Sequence, residues 1–239
     1  MVENTTLKFQ NAMNNQYIVA TIKKWNTDQF NKKVCNFPGE WNLITSPEEL
    51  TIENLEKINP RYIFFPHWSW IVPNEVLKRW ECVCFHMADV PYGRGGSPLQ
   101  NLIVRGHKKT KLSALKMIDE LDAGPVYKKI PLDLSGSAQE IFERMAPEIF
   151  DLINYIVTEE PTPEAQSGIA TVFKRRTKDQ SKLPESATLE VLYDHIRMLD
   201  AETYPKAFIQ YGSVRLEFDK AKIDATGELT ARVKFIEKF

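Results

Sequence analysis

Apolar residues follow two rhythms along this chain. Over the first two thirds they come as short unbroken runs, Tyr17–Ile22, Trp41–Thr45, Tyr62–Phe65, Cys82–Phe85 and Leu112–Leu115. Runs this short, rich in β-branched and aromatic residues, read as strands buried on both faces. Between them, Ser46 is placed to cap a helix with Pro47 in its first turn. Asn74–Trp80 reads as a further helix after Pro73. Strands alternating with helices predict an α/β fold, a Rossmann-like, mostly parallel sheet with helices on both faces. Sites in such sheets lie beyond the carboxyl ends of the strands, so the residues after each run carry the interest.

Ser137, three residues before Glu140, forms a capping box that opens a helix over Ala138–Val157. Ile141, Met145, Ile149, Leu152 and Ile156 fall on one face of it. Two prolines in Glu159-Glu-Pro-Thr-Pro-Glu164 then break the pattern and mark a boundary between residues 1–160 and 161–239. Beyond it a helix over Thr188–Leu199 carries Leu189, Leu192, Ile196 and Leu199, and Val214–Phe218 and Leu229–Phe235 alternate like half-buried strands. This part is expected to be a small α+β annex.

Composition narrows the classes. With 31 Lys+Arg against 32 Asp+Glu the net charge is −1. Proteins that grip polyphosphate backbones usually carry a basic excess, so no nucleic-acid partner is expected. Three cysteines, Cys35, Cys82 and Cys84, have no zinc-like spacing, and no metal is expected. Cys82 and Cys84 share one strand face. No run approaches the ~20 apolar residues that cross a bilayer. The first ten residues lack the basic-then-apolar form of a secretory signal, so a cytoplasmic enzyme is expected.

Chemistry concentrates between residues 86 and 127. His86 directly follows the Cys82–Phe85 run; Arg94-Gly-Gly-Ser-Pro-Leu-Gln100 joins a mobile backbone to a cation and an amide; Asp119-Glu-Leu-Asp-Ala-Gly-Pro-Val126 is a turn dense in carboxylates. A histidine and an aspartate on neighbouring strand ends can form an oriented acid/base pair, the carboxylate fixing the imidazole tautomer.

His86, Pro91, Arg94–Gln100, Gly106, Thr110 and Asp119–Val126 together resemble the signature of the 10-formyltetrahydrofolate-dependent formyltransferases. The resemblance implies that His86 and Asp122 are catalytic, with an amine attacking the formyl carbon on N10 of the folate. It also implies a second oxyanion donor, usually an asparagine two residues before the histidine. Here that position is Cys84, whose thiol is a weak donor. Asn101 and His67 are the candidate substitutes. By the same resemblance, Phe65–Pro73 takes the pterin ring of 10-formyltetrahydrofolate, the expected co-substrate. Trp68, Ser69, Trp70, Ile71 and Val72 are then cofactor-binding, with Met117, Asp119 and Glu120 beside them.

The tail is shorter than the RNA-gripping barrel of the methionyl-tRNA enzymes, and Leu192–Phe208 is similar to a motif of the sugar-nucleotide N-formyltransferases. That branch implies a dTDP- or UDP-linked 4-amino-4,6-dideoxyhexose as acceptor. The wording His86–Ser97 favours UDP-linked 4-amino-4,6-dideoxy-N-acetyl-altrosamine, a surface-polysaccharide precursor. Residues 1–160 would then be the catalytic domain, and 161–239 would complete the nucleotide-sugar site. Substrate contacts are expected from Arg94, Gly95, Gly96, Ser97, Gln100, Lys111, Arg175, Arg197 and Tyr204, since guanidinium matches phosphate well. Family members are often dimers. The competing readings are a folate- or nucleotide-binding protein without catalysis, a methionyl-tRNA formyltransferase-like enzyme, and a formyl-folate hydrolase.

Overall fold

Six strands form the main sheet of this computed structural model, which describes residues 15–237; the N-terminal stretch read above for a targeting signal lies outside the described residues. In chain order the first elements are β1 (Gln16–Ala20), α1 (Lys24–Lys33), β2 (Glu40–Ile44), α2 (Ile52–Ile58), β3 (Tyr62–Phe65), α3 (Asn74–Arg79) and β4 (Glu81–His86). There follow β5 (Arg94–Gly95), α4 (Pro98–Ile103), β6 (Lys109–Lys116), β7 (Val126–Asp133) and α5 (Ala138–Glu159). Last come β8 (Val172–Phe173), α6 (Leu189–Arg197), β9 (Ala207–Tyr211), β10 (Val214–Ile223) and β11 (Leu229–Glu237). The large sheet runs β2-β1-β3-β4-β6-β7. β2, β1, β3 and β4 are parallel, and β6 is antiparallel to β4. The fold is therefore the mostly parallel α/β sheet the apolar runs predict, with a separate antiparallel sheet β11-β10-β9 near the C-terminus.

The chain divides into two compact units that interleave along the sequence. The first comprises Met1–His86, Leu112–Ile130 and Met145–Gly168; the second comprises Met87–Lys111, Pro131–Arg144 and Ile169–Phe239.

In the first unit, alternation along the strands sorts side chains onto two faces. Ile18, Ala20, Ile44, Ile63, Phe65 and Cys82 join Leu55 and Val76 in one buried cluster. The other face carries an aromatic column, with ring centroids 4.8 Å apart for Tyr17–Trp41, 6.0 Å for Trp41–Phe64 and 6.4 Å for Phe64–Phe85. Full burial of a side chain such as Phe64 stabilises by roughly 1.5–3 kcal/mol. Along α5, Met145, Ile149, Leu152, Ile153 and Ile156 are buried at helical spacing. Lys33 pairs with Asp151 at 2.5 Å and Arg61 with Glu160 at 2.6 Å.

Helix starts show one success and one correction. In the second unit, the Ser137 backbone N–H donates to Glu140 Oε2 at 2.7 Å and the Glu140 N–H to Ser137 Oγ at 3.2 Å, a complete capping box. Ser46, by contrast, makes no side-chain cap, and Pro47–Glu49 is only a 3-10 turn. The helix begins later, where Thr51 Oγ1 accepts the Asn54 N–H at 3.2 Å.

Candidate active site

His86 is the last residue of β4 and 6% exposed, with Ser113 of β6 opposite it. Its Nδ1 lies 3.4 Å from Asp122 Oδ2. Both belong to the first unit, so the sheet brings together two residues that lie thirty-six positions apart in the sequence. Asp122 sits in the β6–β7 turn with φ of +53°, a left-handed conformation that costs a non-glycine residue energy. The turn is pressed tightly onto the sheet: a Cβ on Gly124 would fall 1.7 Å from the Lys116 carbonyl oxygen. On the far side, Gln166 Nε2 donates to the carbonyls of Asp122 at 2.8 Å and Gly124 at 2.7 Å. Gln166 was not anticipated from sequence; it lies in an aperiodic, proline-broken stretch.

Cys84 occupies the same strand face as His86, two residues earlier. Burial and the Asp122 charge push its thiol far above the usual cysteine range, so it stays protonated and neutral. Burial, with the Glu81 charge adding to it and Lys116 opposing, pushes Cys82 up to about 12.

Neither candidate for the second donor offers a free amide or a charged ring. His67 is pulled down to about 3 by burial and then by Lys23, so it is neutral; its Nδ1 faces Asn26 Nδ2 at 3.2 Å and Trp25 Nε1 at 3.5 Å. Asn101, in the second unit, spends its amide hydrogens on the carbonyls of Gly96 at 2.9 Å and Lys174 at 3.0 Å, and its Oδ1 accepts from Arg105 at 2.9 Å. It works as a staple between two loops.

The segment after β3 divides. Val72 is buried in the core cluster, so only its backbone is left to face a ligand, in keeping with a loop expected to bind largely through backbone groups. Trp68 and Met117 pack on that same cluster, and the Trp68 indole N–H is buried with no hydrogen-bond partner among the described residues. Trp70 is 46% and Ile71 93% exposed, and Ser69, Asp119 and Glu120 are exposed as well. An unmet donor beside exposed apolar side chains fits a flat heterocycle with carbonyl-like edges.

In the second unit, β5 pairs with β8, and the Arg176 N–H donates to Ser97 Oγ at 3.1 Å. A Cβ on Gly96 would come within 2.6 Å of Arg175 Cα, so only glycine allows this approach. Arg94, Gly95, Gly96 and Ser97 are half-buried and Arg175 is exposed. Gln100 is 3% exposed; the Tyr204 hydroxyl, raised by burial, feels the Gln100 amide and the Arg175 charge. One expected phosphate ligand is committed elsewhere, and a second is held in an exposed ion pair. Arg197 is 3% exposed and bonds Asp194 at 2.6 Å and the carbonyls of Leu134 at 2.5 Å and Gly136 at 2.8 Å, which makes it structural. Lys111 pairs with Asp89 at 3.1 Å.

The sequence profile of the family described as Formyl transferase matches residues 13–148. This chain belongs to the formyl transferase family. A second profile, described as Methionyl-tRNA formyltransferase, C-terminal domain, matches residues 178–236. A solved structure of methionyl-tRNA formyltransferase from Clostridium thermocellum is 48% identical, with a TM-score of 0.89, over 93% of this chain and 99% of that one. The curated methionyl-tRNA formyltransferase of Wolbachia pipientis subsp. Culex pipiens (strain wPip) is 25% identical over 72% of this chain and 58% of its own length. HypX from Aquifex aeolicus, solved in complex with tetrahydrofolic acid, shares the fold at 15% identity and a TM-score of 0.72, over 86% of this chain and 37% of that one. The chain spans about three fifths of the length of the curated relatives it matches.

These likenesses overturn two expectations. The curated relatives and the 48% identical structure carry the name methionyl-tRNA formyltransferase, so the sugar-nucleotide acceptor, dTDP- or UDP-linked, is withdrawn. The exclusion of a nucleic-acid partner falls with it. Its physical basis, the net charge of −1, averages two unlike halves. The second unit holds 19 Lys+Arg against 15 Asp+Glu, and the first 12 against 17. Among the described residues no helix is long and apolar enough to cross a membrane.

Proposed function

We propose that this formyl transferase moves the formyl group of 10-formyltetrahydrofolate to the α-amino group of methionyl-tRNA. The observation that carries the reading is the 48% identity over nearly the whole of both chains with a protein of that name. The basic excess of the second unit and the C-terminal profile over residues 178–236 support it. Both profiles together suit a catalytic part followed by a smaller C-terminal part.

In this reading the folate supplies an activated formyl carbon, and Trp68–Ile71 with Met117 hold the pterin end. His86 donates a hydrogen bond to the oxygen that becomes negative as the amine adds to the formyl carbon. A preset donor of this kind contributes roughly 3–4 kcal/mol to the transition state. Asp122, 3.4 Å from Nδ1, keeps the imidazole oriented so that its Nε2 faces the reaction. The incoming ammonium gives up one proton to solvent through the pair before attack. The added amine then gives up a second, which the folate nitrogen takes as its bond to the formyl carbon breaks. The His86–Asp122 pair is the acid/base group for both transfers.

The test is direct. The chain is incubated with 10-formyltetrahydrofolate and methionyl-tRNA, and formyl-methionine is released from the RNA and weighed by mass spectrometry. Formylation of methionyl-tRNA with none of free methionine is expected. Formate release at the same rate without any acceptor, or folate binding with no transfer, overturns the reading.

A further inference from the structure

We infer that Gln166 is a positioning residue that sets the aim of Asp122 at His86. The inference rests on the reading of that pair as the reacting groups. Three observations carry it. Asp122 holds a left-handed φ of +53°, a conformation that costs aspartate less than most residues but still gains from contacts that hold the turn. Both amide hydrogens of Gln166 go to that turn, one to the carbonyl of Asp122 itself at 2.8 Å and one to that of Gly124 at 2.7 Å. Gln166 is in turn anchored two residues upstream, where Glu164 and Val126 exchange backbone hydrogen bonds of 2.9 and 2.7 Å.

The opposite side of the turn is fixed by the sheet, through the Lys116 N–H to the Pro125 carbonyl at 2.9 Å and the close seat of Gly124. The turn is thus clamped between the end of β6 and residues 164–166. The peptide oxygens that Gln166 captures are those whose rotation would swing the Asp122 side chain. With both held, the carboxylate stays against His86 Nδ1; with them released, the turn can relax out of the left-handed conformation. An error of about 1 Å in such a group can cost on the order of a hundredfold in rate.

Gln166→Met keeps the length and removes both donors; Gln166→Ala removes the side chain. Each is checked for a native circular-dichroism melt. Expected are a fall in kcat of about tenfold or more with KM for both substrates within about twofold, and loss or broadening of the downfield His86 imidazole N–H proton resonance. In an Asp122→Asn background the further substitution Gln166→Met should change kcat by less than about twofold, because it acts through Asp122. Full kcat in a folded Gln166→Met protein, or effects that multiply in the double mutant, overturns the inference. If wild-type protein transfers nothing to methionyl-tRNA, the functional reading fails. The His86 resonance still decides Gln166: unchanged in Gln166→Met it refutes the role, lost it supports it.

Discussion

Burial first, and then the charge of the Asp122 carboxylate, hold the Cys84 thiol protonated. The strand position two before His86 therefore carries a neutral, weakly donating group. Family members usually place an asparagine there, and a good oxyanion donor is worth roughly 10²–10³ in kcat. Cys84→Asn is expected to raise kcat by about tenfold, and Cys84→Ala to change it by less than about twofold, in steady-state formylation assays. The protonated thiol has a second consequence. At pH 8 iodoacetamide should label exposed Cys35 and leave Cys84 intact, read by peptide mass spectrometry. A large loss of turnover relative to wild type in both Cys84→Ala and Cys84→Asn would show that the thiol has a role of its own.

The elements that set the site's scaffold were legible because burial on both faces writes an unbroken apolar run. β3 and β4 follow that rule, and β4 delivers His86 to the sheet edge. β7 hid because it is the edge strand of the sheet: Lys128, Lys129 and Pro131 are tolerable only where one side needs no partner. Gln166 hid for another reason. Its role exists only through carbonyls more than forty residues away, and nothing local marks it. Charge misled because a single total masks segregation, with the first unit acidic and the second basic.

The capping box gives a pH-dependent stability. The Ser137 N–H and hydroxyl both donate to Glu140 and hold its carboxyl below the usual glutamate range. A folded value below the unfolded one means stabilisation that is complete above the unfolded pKa and is lost as pH falls through the folded one. Ser137→Ala should cost about 1 kcal/mol near neutral pH. The gap between mutant and wild type should narrow below about pH 4, where wild type loses the carboxylate. Urea melts at pH 7 and pH 3.5 check it, and a gap that widens in acid contradicts it.

Two arginines from one basic tail should behave oppositely. Arg197 is buried and neutralises Asp194, whereas Arg175 is exposed. Arg197→Met leaves Asp194 only the exposed Lys108 at 3.2 Å and leaves the Leu134 and Gly136 carbonyls without their donor, so it should cost about 3 kcal/mol in a urea melt. Arg175→Gln should leave the melt unchanged. In the proposed function it weakens tRNA binding and lowers the slope of log K against log salt by somewhat less than one, as loss of one phosphate contact does. Equal effects of the two substitutions on stability would show that burial does not separate their roles.

Gly96 and Asn101 hold one junction from two sides. Asn101 ties the carbonyls of Gly96 and Lys174, while the bare Cα of Gly96 lets the Arg175 backbone approach. Gly96→Ala adds a Cβ with no room against backbone atoms, so the loops must part and the Asn101 bonds lengthen. Asn101→Ala leaves two carbonyls without their donor, at about 1–3 kcal/mol for a buried group. Because each substitution opens the same junction, the double mutant should lose less than the sum of the single losses, by about 1 kcal/mol. Urea melts of the three variants measure this, with proteolysis after Lys174 or Arg175 reporting the opening. Strict additivity would mean that Asn101 and Gly96 secure separate contacts.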